Sequence, residues 1–290
     1  MERTNRAVED LMKMKRVVVG ISGTEGAHPA IAWALQFAAD THASLELVHV
    51  IDVPWRSTPA AYAEQALLQA EQKLRERVEH SRNLQTRVNI HSTALVGDPN
   101  RALVEHAGRD MLVLGTHARE RFGGHPFSTR AVRIAARAGG SVVVIPDSGD
   151  RPGNGIVVGV DGSEVSAAAL AFAAREAARL GESLKAVHSW HAPRPWSDEP
   201  IALPAESEEE EEQRVLSEAM AGLSEDYPDL DITTEVVFAR AANALYDSSL
   251  GARMLVVGSH GRKGFEKAWL GSTSEEIILA MPCAVAVIRP

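Results

Sequence analysis

The feature that most constrains this chain is that it repeats itself. Residues 16–22 read RVVVGIS and residues 155–161 read GIVVGVD, each a valine-rich run closed by a glycine and a polar residue. Runs of this composition fit strands buried on both faces, as in a parallel sheet. The match continues in order along both halves. HPAIAWALQFAADTHA corresponds to SAAALAFAAREAARLG as an alanine-rich helix, and SLELVHVID to SLKAVHSWH as a second strand. Pro54-Trp55 and Pro195-Trp196 follow, then in each half a helix with many glutamates and glutamines. Third strands are expected near 86–96 and 231–238. After a short helix, DMLVLGTHAR matches RMLVVGSHGR as the fourth strand, and a helix and a fifth strand, SVVVIP or AVAVIRP, close each half.

Five strands alternating with helices, twice, predict two tandem α/β domains. Each is a Rossmann-like, five-stranded parallel sheet flanked by helices and built with right-handed crossovers. Residues 146–155, PDSGDRPGNG, have linker composition. The expected division is an extension at 1–14, a first domain at 15–148, a linker at 149–155 and a second domain at 156–290. Each half is then close to the commonest domain size.

A net charge of -9 argues against nucleic acid as a partner, because a phosphate backbone selects clustered Lys and Arg. No apolar run is long enough to span a membrane. The opening MERTNRAVEDLMKMK lacks the apolar stretch of a secretory signal, and the single cysteine, Cys283, allows no intrachain disulfide. The expected location is the cytoplasm, with no membrane partner.

The fourth strand of the second half runs into GSHGRKGFEKAWLGSTSEE, residues 258–276. Gly258 and Gly261 follow the strand directly, and Gly271-Ser272 stand nine residues later, ahead of Thr273, Ser274 and an apolar helix. Glycines admit φ > 0 and let the backbone approach a ligand. Consecutive amides in such a turn form a concave anion site. Gly271 to Ser274 fall where a helix begins, with unpaired N–H groups and the positive end of the dipole. The serine and threonine hydroxyls add donors, and Arg262 and Lys263 add charge. Two glycines after a strand, or a Gly-Ser pair before a helix, are common in ordinary turns and caps. Their conjunction at this spacing suits a di- or triphosphate, and it is neither a Walker loop nor G-x-G-x-x-G.

On these residues the second half resembles a universal stress protein domain, whose ATP-binding members carry G-x-x-G, nine residues, then G-[ST]. Gly258-Ser259-His260-Gly261 and Gly271-Ser272 match that pattern without departure. Asp161 in VVGVDGS fills the family's aspartate position after the first strand, where a carboxylate accepts hydrogen bonds from ribose hydroxyls or an exocyclic amine. Its other reading is a turn aspartate capping the next helix. By resemblance, Ser189, after His188, offers a backbone contact to the base. The resemblance implies an adenine nucleotide alpha hydrolase-like fold with neighbouring first and fourth strands. It also implies ATP as cofactor, with Mg²⁺ between phosphate oxygens. Last strands that pair with each other would make an intrachain pseudo-dimer, with further homodimerisation of chains.

The first half departs at each diagnostic position. Ser22 replaces the aspartate, Gly115-Thr116-His117-Ala118 replaces the second glycine with alanine, and Ser128-Thr129 replaces the Gly-Ser pair. A Cβ at Ala118 disfavours φ > 0 by roughly 1 kcal/mol. Arg119, Arg121 and His125 keep that loop basic. The first half is expected to bind ATP weakly or not at all.

Other features have plainer readings. The acidic run Glu208–Glu212 starts a helix at the dipole's positive end. His188 and His191 lack a third ligand and read as strand-end histidines. Trp55 and Trp196 either cover the crevice or pack beneath a loop. Cys283 reads as a small buried residue. Glu266 and Lys267 lie between the glycine pairs, but spacing places no general base. The expected function is an ATP-binding regulatory module of a stress response. A slow Mg²⁺-dependent ATPase and a nucleotide-independent scaffold stand as alternatives.

Overall fold

Valine-rich strands with no polar face have to be covered on both sides, and the chain does this with one sheet between two helical layers. The computed structural model describes residues 15–21, 28–52, 60–116, 121–122, 125–126, 129–147, 153–191, 206–261 and 270–290. The first half contains β1 (Arg16–Ile21), α1 (His28–Thr41), β2 (Ser44–Ile51), α2 (Ala60–Leu84), β3 (Ile90–Val96), α3 (Pro99–Ala107) and β4 (Met111–Thr116). A two-residue hairpin of β5 (Arg121–Phe122) and β6 (His125–Pro126) precedes α4 (Thr129–Arg137) and β7 (Val142–Pro146). The second half runs β8 (Ile156–Val160), α5 (Glu164–Leu180), β9 (Leu184–Trp190), α6 (Glu206–Met220), the short α7 (Leu223–Asp226) and β10 (Ile232–Phe238). It ends with α8 (Ala241–Ser248), β11 (Met254–Gly258), α9 (Ser272–Ala280) and β12 (Ala284–Ile288).

The ten long strands form one sheet in the order β10-β9-β8-β11-β12-β7-β4-β1-β2-β3. Within each half every pairing is parallel. At the centre β12 and β7 run antiparallel, with Val285 opposite Val144, Ala286 opposite Val143 and Val287 opposite Val142. The last strands therefore pair within the chain. Alone, each would be an apolar edge with a row of unpaired backbone groups, a template for aggregation. Paired, all six residues are essentially inaccessible.

In each half the strand order reverses beside the first strand, so right-handed crossovers put two helices on each face. Helices α1, α2, α5 and α6 contribute Phe37, Leu74, Phe172 and Leu216 to one core. Helices α3, α4, α8 and α9 contribute Leu103, Ile134, Leu245 and Ile277 to the other. Both cores cross the junction between the halves. Phe37 stacks on Trp33 and meets Phe172 of the second half with centroids 6.2 Å apart. Arg179 of α5 joins Glu176 of its own helix to Asp40 of the first half. On the other face the Arg289 amide donates to Ser141 Oγ at 3.1 Å and its guanidinium to the Ala135 carbonyl at 2.9 Å. Cys283 is buried as expected, and burial pushes its thiol up to about 12, so it is inert at neutral pH.

One buried acid ties the first half together. Glu46 on β2 accepts from Arg16 Nη1 at 2.7 Å and Thr93 Oγ1 at 2.6 Å, and lies 2.9 Å from His106 Nε2. Burial opposes its ionisation, but the bonds from Thr93 and His106 and the charges of His106 and Arg16 outweigh it, so the carboxyl lies below its ordinary range. A depressed folded value means that this stabilisation is present above the unfolded value and fades as acid protonates the folded carboxyl. Glu46→Gln is expected to lower the unfolding free energy at neutral pH by about 2 kcal/mol. Urea titrations of both proteins should show that difference shrinking as pH falls through the carboxylate range. A difference that does not change with pH would contradict the assignment.

Candidate functional site

The strand reversal leaves a crevice between the carboxyl ends of β8 and β11, the place where open α/β sheets bind ligands. At the end of β8 the chain turns through Asp161, Gly162 and Ser163. Gly162 has φ +77, the left-handed conformation that a D-G turn requires. Asp161 Oδ1 accepts from the Ser163 amide at 2.9 Å, and Ser163 Oγ accepts from the Ser166 amide at 3.1 Å as the N-cap of α5. The helix cap is thus Ser163, and Asp161 shapes the turn with one of its two oxygens.

The second wall is built from the loop after β11. The Ser259 amide donates to the Ile288 carbonyl at 2.9 Å, anchoring the loop to β12, and the Gly271 amide donates to the Ser259 carbonyl at 2.7 Å. That second bond clips the two glycine segments together. Ser274 Oγ donates to the Gly258 carbonyl at 2.7 Å and so fixes the end of β11 to the start of α9. Gly271 is the N-cap of α9 and supplies no side-chain cap. The amides of that first turn have no intrahelical acceptor, and they carry the positive end of the helix dipole.

These elements enclose a cleft of about 440 Å³, within the range of small-molecule sites. Asp161 and Ser189 line it from β8 and β9, Gly258, His260 and Gly261 from the loop, and Gly271, Ser272, Thr273 and Ser274 from the start of α9. Its apolar floor includes Val160, Val187 and Leu245. Ser259 does not line the cleft: it is fully buried, with Oγ 3.1 Å from His260 Nδ1. Arg262, Lys263, Glu266 and Lys267 lie outside the described residues, as do Trp55 and Trp196.

Of the two reasons expected for the glycines, left-handed backbone and the absence of a Cβ, only the second is found. Among the described residues, those with positive φ do not include Gly258, Gly261 or Gly271; Gly271 has φ -65. What they supply is space. A Cβ on Gly261 would lie 2.5 Å from Asp161 Oδ2, one on Gly258 2.8 Å from Val165 Cγ1, and one on Gly271 3.3 Å from His260 Cα. The carboxylate of Asp161 and the backbone of Gly261 are therefore in direct apposition.

Behind the cleft, His188 is buried, donates from Nδ1 to the Val160 carbonyl at 2.7 Å and places Nε2 2.7 Å from Glu212 Oε2 on α6. This clamp aligns the ends of β8 and β9 and leaves the next residue, Ser189, on the cleft. The acidic run does start a helix, but Glu212 turns inward rather than remaining solvated. His188 has protein partners on both ring nitrogens, and among the described residues no three His, Cys, Asp or Glu side chains group to hold a metal. The lining residues that escaped sequence reasoning include Ser166, Ala241, Leu245 and Gly159. The usable signal was the glycine before the end of both first strands. A Cβ on Gly159 would meet Leu245 Cδ1 at 3.0 Å, and one on Gly20 would meet Leu103 Cδ1 at 3.0 Å.

In the first half the position of Ser259 is taken by Thr116, which is buried and directs Oγ1 to Met281 Sδ of the second half at 3.8 Å. Ser22, His117, Ala118 and Ser128 lie outside the described residues, and Thr129 begins α4.

Fold and cleft together define a doubly wound α/β protein made of two fused repeats, with a glycine-walled cleft at the strand ends of the second. The family model described as "Universal stress protein family" matches residues 13–146 and again 154–289. The chain belongs to the universal stress protein family. It is 32% identical to universal stress protein Rv2005c of Mycobacterium tuberculosis over 301 residues, covering 96% of this chain and 98% of that protein. It is 31% identical to Rv1996 of the same organism, covering 94% of each. Among solved structures, a universal stress protein from Archaeoglobus fulgidus superposes with TM-score 0.66 at 15% identity, covering 96% of this chain and 97% of that one. The tandem fold is thus shared over nearly the whole length.

The two glycine contacts make separable demands on folding. Gly258→Ala pushes a methyl into Val165 of the capped helix α5 and should cost about 2 kcal/mol of unfolding free energy. Gly261→Ala meets only the Oδ2 end of the Asp161 carboxylate, which can give by a small rotation while Oδ1 stays on the Ser163 amide, and should cost less than about 1 kcal/mol. Denaturant melts of the two variants check this ordering, and the reverse order would contradict it.

Proposed function

We propose that the second half binds an adenine nucleotide, ATP with Mg²⁺, and that the protein acts as a nucleotide-dependent regulatory module in a stress response. The observation that carries this reading is convergence. The uncapped first turn of α9, the glycine-walled loop and the Asp161 carboxylate all open on one cleft of about 440 Å³. An anion at the α9 end meets several amides and the dipole, which is how helix N-termini hold phosphate. Ser272 and Thr273 add hydroxyl donors. Ser274 contributes its amide, since its hydroxyl is committed to the Gly258 carbonyl.

Gly258, Gly261 and Gly271 let the phosphate chain approach the backbone, and His260 borders the same wall. Ser259 supports the loop from behind. Arg262 adds positive charge, and Mg²⁺ neutralises the phosphate oxygens. Asp161 accepts from the ribose or an exocyclic amine, and the Ser189 backbone reads the base.

The reading favours binding over turnover. The carboxylate on the cleft, Asp161, is held by the Ser163 amide as part of a turn, which suits an orienting group better than a mobile base. In the first half, Ser22 and Ala118 replace the aspartate and glycine that touch in the second. Both partners of that contact have changed together, and Ser128-Thr129 replaces Gly271-Ser272, so the first half serves as the structural partner. The last-strand edge is consumed inside the chain, so a homodimer of this cytoplasmic protein uses another surface. Among the described residues no helix is long and apolar enough to cross a membrane, and the net charge of -9 disfavours nucleic acid.

Calorimetric titration of ATP–Mg²⁺ into the full chain tests the reading. One site per chain is expected, weakened at least about tenfold by Asp161→Ala and by Gly261→Ala. Two equivalent sites, or a single site insensitive to both substitutions, would overturn it. Well-folded protein that binds no nucleotide would favour the scaffold alternative.

A further inference from the structure

We propose that the first half carries a second, chemically different site: a pocket between α1 and α2 that takes an amphipathic carboxylate, a molecule with an apolar body and one anionic end. The pocket measures about 760 Å³. It lies on the opposite face of the sheet from the glycine cleft, against the core that contains Ile21, Ile31, Leu35 and Leu74 rather than the one containing Val187 and Leu245.

Comparison of the two halves shows where the room comes from. Leu74 on α2 and Leu216 on α6 are both buried, and each stands the same number of residues ahead of the strand that follows its helix. One turn earlier the second half has Glu212 and the first has Ala70. Glu212 reaches across to His188 and covers it; His188 is 1% exposed. The matching histidine of the first half, His49, is held in the same way, with Nδ1 donating to the Ile21 carbonyl at 2.7 Å. It is covered less, and it lines the pocket together with Ala70. Ala66 from α2 and Ala32 from α1 are also small. The first half thus leaves a cavity where its twin places a side chain.

The lining sorts by chemistry. The interior is aliphatic, built by Ile21, Ile31, Leu35, Ile51 and Leu74. Among the described residues, two cations, Lys73 and Arg77 from α2, and two imidazoles, His80 from α2 and His49 from β2, border it, against one carboxylate, Glu76. An aliphatic interior drives burial of an apolar body at roughly 25 cal/mol per Å². The excess of basic groups at the border selects a negative end over a positive or neutral one. Among the described residues the lining contains no glycine, the device that walls the cleft of the other half, and its interior is aliphatic, so its chemistry differs from that of the glycine cleft.

The test uses the full chain and sodium decanoate below its micelle concentration, titrated by calorimetry, with decyltrimethylammonium as the equal-length cation. One decanoate per chain is expected, with the cation binding at least about tenfold more weakly. Lys73→Glu reverses an exposed charge without touching the core and should weaken decanoate at least about tenfold while leaving ATP titration unchanged. Ala70→Leu fills the pocket and should abolish decanoate binding, with the thermal melt reporting whether the variant folds. Saturating ATP should not displace decanoate. No saturable decanoate binding, equal binding of the cation, indifference to Lys73→Glu, or competition with ATP would each overturn the proposal.

Discussion

Three residue pairs, Val285 with Val144, Ala286 with Val143 and Val287 with Val142, hold the rest of this structure in place. Each half is a parallel sheet, and a parallel sheet ends in an edge that water must solvate or another strand must pair. Here both fifth strands are almost wholly apolar, so neither edge is well suited to water. Their antiparallel pairing removes two edges at once and turns two five-stranded sheets into one of ten. The helical layers follow from it. Phe37 finds Phe172, Asp40 finds Arg179, and Arg289 finds Ser141 and Ala135 because the strand pairing brings the two halves into that register.

The fusion also lets the halves diverge. In the second, a Cβ on Gly261 would meet the Asp161 carboxylate, so Gly261 cannot gain a side chain without moving it. In the first, the same positions hold Ser22 and Ala118, and Thr116 at the end of β4 is occupied by a contact to Met281. Divergence on the other face runs the opposite way. Glu212 seals the space behind His188, whereas Ala70 leaves the space beside His49 open. Among the described residues the second half lines a glycine-walled cleft and the first an aliphatic pocket, and the two differ in chemistry.

Much of this was legible in the sequence because it depends on local pattern. Valine runs gave the strands and the repeat gave their order along the chain, while the pairing of the last strands was implied by the family resemblance. The placement of Gly258, Gly261 and Gly271 at one crevice with Asp161 followed once the resemblance supplied neighbouring first and fourth strands, since carboxyl strand ends at an order reversal converge. What stayed hidden depends on side-chain direction across long sequence separations. The glycines read as conformational devices, yet Gly271 has ordinary φ and Gly261 is needed because Asp161, a hundred positions earlier, occupies the space a Cβ would take. Ser259 sits within the motif but faces inward, and no pattern in the loop distinguishes it from His260. The inward turn of Glu212 was hidden for the same reason: within a run of five glutamates, only the position of His188 singles one out.

The central claim is that only the second half holds nucleotide. Photolabelling with 8-azido-ATP and Mg²⁺, followed by mass-spectrometric mapping of the peptides, tests it most directly. The account predicts label on second-half peptides around the cleft, lost when excess ATP is present. Comparable ATP-protected label on the corresponding peptides of the first half would contradict it.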